Sequence, residues 1–256
     1  MKRERAYVEG RRRQVLDMLQ RNPQIRIDEL AKRLSVSVVT IRRDLQYLEE
    51  KKQITRFYGG AAVSKEAAGY VDDVTIYREL IAKYAATLVE DGDTIFINTS
   101  SNALDLIRYI KGRHVTVITN NGRAISYEKA EGVDLILTGG EVRHPKEALV
   151  GDFATRNLQN IFAKKAFMGC AGISSATGMS TEIANEVNVN RLMIEHTTQT
   201  VYLMADHTKV GHNSSFTSCG IDMVKHLITD ELASAEELEQ MRALGVEVYQ
   251  VRKSDY

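Results

Sequence analysis

Several features are scarce in this 256-residue sequence, and each scarcity closes off a class of protein. It has no run of about 18 apolar residues, so no segment reads as a membrane span. The opening stretch MKRERAYVEGRRR is charged and lacks the apolar core of a secretory signal. Cysteine is limited to Cys170 and Cys219, with no metal-ligand spacing around them. That usage suits a reducing cytoplasm, in which both are plain core thiols. Internal repeats and low-complexity runs are also missing. No cofactor, metal site or membrane contact is expected. What is present suffices for a folded protein: 43% of the residues are apolar, and the length fits one large domain or two ordinary ones.

Net charge is missing too, with 34 basic and 34 acidic residues, but the balance conceals a split. Residues 1–60 hold 15 Lys/Arg against 8 Asp/Glu, and the remainder holds 19 against 26. A basic module on an acidic body points to a polyanionic partner for the first sixty residues, or simply to a solvated basic face.

The hydrophobic pattern of that module resolves into short helices. In EGRRRQVLDMLQRN, Val15, Met18 and Leu19 recur at helical spacing, and Asn22-Pro23 ends the segment. A second helix follows Asp28, with Leu30, Ala31 and Leu34 facing inward. Ser35-Val36 reads as a tight turn and Ser37 as the N-cap of a third helix. At about 100° per residue, Val38, Ile41, Leu45 and Leu48 form the buried stripe of that helix. Arg43 stands opposite the stripe, with Val39, Thr40, Gln46 and Tyr47 on its side and Arg42 and Asp44 on the flanks. This is a helix-turn-helix pattern whose last helix fits a DNA major groove, where Arg matches guanine or phosphate. The plainer alternative has Arg42 and Arg43 pairing with Asp44, Glu49 or Glu50 at the surface. Gln53 to Val63 then reads as a Gly-Gly hairpin wing, with Lys51, Lys52 and Arg56 beside it for a phosphate backbone.

Arg11, Val15, Leu19, Ser37, Thr40, Ile41, Arg42, Arg43, Asp44 and Leu45 match the spacing of the helix-turn-helix signature of the DeoR family of bacterial transcriptional regulators. RFYGGA resembles that family's R-x-x-G-G-A wing, with Tyr58 where His is frequent. The resemblance implies DNA contacts from Ser37, Thr40, Arg42 and Arg43. With the exposed-face and wing residues, the expected DNA-binding set is Ser37, Val39, Thr40, Arg42, Arg43, Gln46, Lys52, Arg56 and Tyr58.

Residues 61–73 are expected to form a linker between a winged helix-turn-helix domain at 1–60 and an α/β domain at 74–256. Beyond the linker, helical and strand patterns alternate. TIYRELIAKYAATLVE, SSNALDLIRYIKG, NGRAISYEKAEG, TEIANEVNVNRLMIEHT and ASAEELEQMRALG read as helices. DTIFIN, HVTVIT, VDLILTGG, KKAFMGCAGI, TVYLMAD, HLITD and VEVYQV read as strands. Such alternation argues a mostly parallel sheet with helices on both faces, and ligands beyond the carboxyl ends of its strands. Four of those ends carry suitable groups: Ser100, Ser101 and Asn102; Asn120; Gly139 and Gly140; and Asp206 with Lys209. Together they offer what a polyhydroxylated phosphate requires. Singly, each has a plainer use as a helix cap, a turn or an internal Asp206–Lys209 pair. Glu182 and Glu186, four apart at a helix start, could point at the same pocket or merely suit the helix dipole. His196, His207 and His212 read as solvated or hydrogen-bonded side chains rather than metal ligands.

LVEDGDTIFINTSSNAL, VTVITNN, LTGGEVR, ALVGDF, GMST and ADHTKVG also resemble the DeoR effector domain, in order. That resemblance implies a fold similar to ribose phosphate isomerases and a phosphorylated sugar as effector. It also brings Asn98 into the effector set, since the family's usual D-S-G-T-T loop here reads Asn98-Thr99-Ser100-Ser101-Asn102. The expectation is a cytoplasmic homo-oligomer, dimer or tetramer, that binds a double-stranded operator as a repressor of sugar-metabolism genes and has no catalytic residues. One alternative is a sugar-phosphate isomerase with an appended DNA-binding module, using Asp206, Glu182 and Lys209 as acid–base groups. Another, an architectural nucleic-acid-binding protein, leaves the second domain unexplained.

Overall fold

The computed structural model describes residues 27–34, 36–51, 54–57, 60–63, 73–144 and 146–255, together with 8, 11, 12, 14–16, 18 and 19. The chain divides into two compact units, Met1–Asp72 and Asp73–Tyr256. No described helix is long and apolar enough to cross a membrane.

In the first unit the described residues between 11 and 19 are helical, followed by α1 (Ile27–Arg33) and α2 (Val38–Glu50). Acidic Asp28 and Glu29 open α1 and basic Lys32 and Arg33 close it, complementing the helix dipole. Ser37 caps α2, accepting from the Thr40 backbone N–H at 3.1 Å. Val15, Leu19, Leu30, Ala31, Ile41, Leu45, Leu48 and Ile54 form the core. Val38, expected in the buried stripe, is instead 37% exposed, because a first-turn position extends past the helices behind it. Asp44, expected on a flank, is buried. β1 (Ile54–Phe57) and β2 (Gly60–Val63) pair antiparallel, Ile54 with Val63 and Phe57 with Gly60, which makes the wing. A linker beginning at 61 therefore overlaps β2, and its residues 64–72 lie outside the described set.

The second unit opens with α3 (Asp73–Thr87) and is built on a seven-stranded sheet. Its strands are β3 (Thr94–Ile97), β4 (Val115–Thr119), β5 (Val133–Leu137), β8 (Ala163–Gly169), β11 (Thr197–Met204), β13 (His226–Asp230) and β14 (Glu247–Val251). Their spatial order is β14-β13-β11-β8-β3-β4-β5, and every pairing is parallel. Side chains alternate between the faces. Ile95 and Ile97 pack with α3 and with α4 (Ser101–Asp105), while Phe96 packs on the opposite face. That face is covered by α5 (Asp152–Leu158), α6 (Ala184–Glu195) and α7 (Ala235–Ala243).

Smaller elements decorate this frame. A hairpin joins β6 (Glu141–Arg143) to β7 (Ala148–Val150), and β9 (Gly172–Ser174), β10 (Gly178–Thr181) and β12 (Phe216–Cys219) form a separate antiparallel sheet. NGRAISYEKAEG, expected to be a helix, contains only a 3₁₀ turn at Gly122–Ser126, capped by Asn121. Its glycines and the lack of a continuous apolar face leave nothing to propagate the turn.

Candidate functional site

On α2 the buried face anchors the helix and the opposite face stands in solvent. Asp44 accepts from Arg11 Nε at 2.6 Å and from Arg12 Nε at 3.0 Å. The Arg12 guanidinium also lies 3.5 Å from the Tyr47 ring centroid, a cation–π contact. Asp44 is thus satisfied from the first helical segment and takes neither Arg42 nor Arg43, both of which are exposed with no ion pair among the described residues. Val39 is 57% exposed, and Gln46, also exposed, donates to Glu50 at 3.2 Å. Ser37 and Thr40 hydroxyls lie 2.8 Å apart at the start of the helix. Arg56 falls in β1, where its side chain is outside the described set, as are Lys52 and Tyr58 altogether.

The second unit carries a cavity of about 240 Å³ at the carboxyl ends of its central strands. Its place follows from topology. From β3 the chain winds outward to β4 and β5, whereas β8, β11, β13 and β14 build the other way. Between β3 and β8 the loops diverge, which is where doubly wound sheets open a crevice. Of the expected effector residues, Asn98, Ser100, Ser101, Asn102, Asp206 and Lys209 line it.

Asn120, Gly139 and Gly140 do not line it: β5 is the edge strand, β4 lies between it and β3, and the β6–β7 hairpin sits against these strand ends, with Asn121 bridged to Ala148. Asn120 is buried there, bonding both backbone groups of Leu149. A Cβ on Gly140 would lie 2.5 Å from the Val150 carbonyl oxygen and 3.0 Å from the Ala154 Cβ. That glycine admits the hairpin and α5 rather than a ligand.

Within the cavity the polar groups differ in what they have left to offer. Asn98 is fully used: its Nδ2 donates to the Gly169 carbonyl at 2.8 Å and to Asn190 Oδ1 at 3.1 Å, and its Oδ1 accepts from Gly169 N–H at 2.9 Å. It bridges β3 to β8, and an aspartate could not donate in its place. Ser100, the other departure from the family loop, packs onto Gly169, where an added Cβ would meet Ser100 Oγ at 1.9 Å.

Asp206 does not pair with the Lys209 side chain. It is buried, accepts from Arg78 Nε at 2.7 Å and from Thr208 N–H at 3.0 Å, and also from the Thr208 hydroxyl. Burial pushes its carboxyl upward, but the Thr208 and Arg78 hydrogen bonds outweigh that and hold it below the usual carboxylate range. Lys209 is left half-buried at the cavity wall, its ammonium unpaired among the described residues. Asn102 is 7% exposed and, among the described residues, neither of its side-chain polar atoms is hydrogen-bonded; the buried hydroxyl of Thr99 is likewise without a partner there. Cys170, also lining the cavity, has its thiol pushed up to about 12 by burial and is inert there.

Sequence reasoning passed over Arg78, Arg123, Lys146 and Asn190, which also line the cavity. Arg78 comes from α3, 128 positions from its partner Asp206, so no local motif announces it. Lys146, on the β6–β7 loop, lies 3.7 Å from Glu182. His207 pairs with buried Asp230 at 2.9 Å and has no part in the cavity lining. Among the described residues no group of three His, Cys, Asp or Glu is placed to hold a metal ion.

A winged helix-turn-helix with an outward arginine pair, joined in one chain to an α/β unit with a charged cavity, defines a DNA-binding regulator with a sensor domain. The model of the DeoR C-terminal sensor domain matches residues 74–231 and that of the DeoR-like helix-turn-helix domain matches residues 11–67; the chain belongs to the DeoR family. It is 32% identical to the HTH-type transcriptional regulator GolR of Listeria innocua, over 93% of this chain and 96% of that one. The HTH-type transcriptional repressor GlcR of Bacillus subtilis is 30% identical over 94% and 96%. The lactose phosphotransferase system repressor of Staphylococcus aureus is 29% identical over 85% and 90%. These relatives are regulators, and the protein is a transcription regulator rather than an enzyme, which sets aside the isomerase alternative. A solved ribose 5-phosphate isomerase A from Methanocaldococcus jannaschii aligns with 52% of the chain and 52% of its own, at 19% identity and a TM-score of 0.36, a likeness that carries no functional argument.

Proposed function

We propose that the protein is a repressor of sugar-metabolism genes whose operator affinity is set by a phosphorylated sugar bound in the sensor cavity. The observation that carries this is the coexistence, in one cavity at the topological switch point, of the unpaired Lys209 ammonium and the buried, unpartnered Asn102 amide. A buried amide without partners costs about 1–3 kcal/mol, which a ligand with hydroxyl groups recovers. The ammonium supplies charge for a phosphate, and Arg78, Arg123 and Lys146 add positive potential to the lining. At the other unit, Arg42 and Arg43, with Ser37, Val39, Thr40 and Gln46 beside them and Lys52, Arg56 and Tyr58 at the wing, contact a double-stranded operator. A helix-turn-helix reads two-fold sites as a dimer or larger assembly, so a homo-oligomer is part of the proposal. The effector acts by binding one arrangement of the DNA-binding units more tightly than another. The whole cycle is assigned to the cytoplasm.

The test couples two measurements. Thermal-shift screening of pentose and hexose phosphates identifies the tightest binder, because a ligand of the folded state raises the melting point. Operator binding of wild type and Lys209→Ala is then followed by fluorescence anisotropy with and without that compound. Loss of the effector response in Lys209→Ala, with unchanged ligand-free operator affinity, is the expected result. A normal response in the variant removes the phosphate from this cavity.

A further inference from the structure

The cavity also contains a group that no anion satisfies. Glu186, in the first turn of α6, is 5% exposed and lines the cavity. Its Oε2 accepts from the Thr181 hydroxyl at 2.5 Å, but its Oε1 is buried and has no hydrogen-bond partner among the described residues. The neighbouring lining groups do not supply one. Asn190, one turn further along α6, spends its amide on Asn98 and Ser218, and Lys146 lies against Glu182. A buried carboxylate oxygen without a donor is costly, and a helix dipole alone offers it only a modest return. The dipole explains an acidic residue at this position. It does not explain why one oxygen is turned into a polar cavity and left open.

Resting on the cavity assignment above, we infer that Glu186 is the specificity-determining residue of the site: its Oε1 accepts a hydrogen bond from a hydroxyl or ammonium group of the effector. Asn102, with both donor and acceptor open, reads an adjacent position of the same ligand. The cavity is then divided by function. Cations such as Lys209 hold the anionic group and supply affinity common to any phosphate. The α6 wall accepts from the rest of the ligand and separates one phosphate ester from another. Sites built to bond a ligand donor reject analogues that lack it much more strongly than apolar pockets reject a missing methylene.

Isothermal titration of the full chain decides this, with inorganic phosphate, ribose 5-phosphate, fructose 6-phosphate, glucose 6-phosphate and glucosamine 6-phosphate as probes. In wild type, at least one sugar phosphate is expected to bind about tenfold or more tightly than inorganic phosphate, the scale of one hydrogen bond to a charged acceptor. Glu186→Met, which keeps the side-chain length and removes both acceptor oxygens, is expected to erase that advantage without weakening inorganic phosphate. Comparing glucose with glucosamine 6-phosphate shows whether the donor is a hydroxyl or an ammonium. Should Glu186→Met not fold, Glu186→Asp makes the same test, since it keeps the charge and withdraws the oxygen. An advantage that survives either substitution overturns the inference. So does a wild type that binds inorganic phosphate as tightly as every sugar phosphate, an outcome that leaves the anion site standing. Affinities for all five probes that are indifferent to Lys209→Ala overturn the anion site itself, and this inference with it.

Discussion

The two units handle charge in the same way and present the result differently. In each, one buried aspartate collects arginines from a distant element: Asp44 takes Arg11 and Arg12, and Asp206 takes Arg78. In each, nearby cations are left over. On α2 these are Arg42 and Arg43, on a convex helix face where a long polyanion can lie across them. In the sensor unit Lys209 is left in a concave cavity of about 240 Å³, which suits a small anion. The aspartates therefore decide which cations are structural, and the local shape decides what the remainder can bind. Formal charge alone gives neither answer.

Removing the organising aspartate of the first unit is expected to have the largest effect. Asp44→Ala removes the carboxylate to which Arg11 and Arg12, 12% and 23% exposed, both donate. The expected cost is about 3 kcal/mol of unfolding free energy in denaturant titration, with loss of operator binding as the unit loosens. A change below about 0.5 kcal/mol would mean that the cluster does not hold this unit together.

Next in size is a change where the cavity wall is tightest. Gly169→Ala places a Cβ 1.9 Å from Ser100 Oγ and 2.2 Å from Ser100 Cβ, so the β3 and β8 ends must separate. Overpacking of this kind costs about 2 kcal/mol. Adding Ser100→Gly, the residue usual in the family loop, is expected to restore most of it, and denaturation of the single and double variants measures the coupling. Independent, additive effects would show that the two positions do not meet.

Arg43→Ala acts on function alone. It is expected to weaken operator binding by about 1–3 kcal/mol and to relax preference at one base pair, if the contact is bidentate to guanine. The melting temperature should not move, because Arg43 stands opposite buried Leu45 and Ile41. Unchanged affinity and unchanged base preference would return Arg43 to the status of a solvated surface residue.

How much of this was legible in the sequence depends on whether a feature is local. Periodicity placed Ile41, Leu45 and Leu48 inside α2 and Arg43 outside, since 3.6 residues per turn fixes a helix face without knowledge of its neighbours. It misplaced Val38 and Asp44, whose burial depends on what stands behind the helix. The main strands were legible because runs such as DTIFIN and HLITD are buried on both faces of a parallel sheet. Strand order was not. Without the β11-β8-β3 neighbourhood, the loops bearing Asn120 and Gly139-Gly140 look equivalent to those bearing Ser100 and Lys209. Arg78 was hidden for the same reason: only the packing of α3 brings it to Asp206.

The smallest expected effect asks how strongly the second aspartate depends on its arginine. Asp206 is held below the usual carboxylate range, burial working against this and Thr208 and Arg78 working for it. A carboxyl depressed in the folded state contributes stability that is present above its unfolded value, about 3.9, and is lost as pH falls through the folded value. Acid unfolding of the full chain followed by circular dichroism should therefore show this contribution disappearing below about pH 4. In Arg78→Gln the folded carboxyl rises toward its ordinary value, so its contribution shrinks and the acid transition moves to higher pH. The movement is expected to be modest, because the Arg78 side chain is 39% exposed and solvent screens the pair, while the Thr208 hydrogen bonds remain. If Arg78→Gln leaves the acid transition where it is, the Thr208 hydrogen bonds alone keep Asp206 in its charged form.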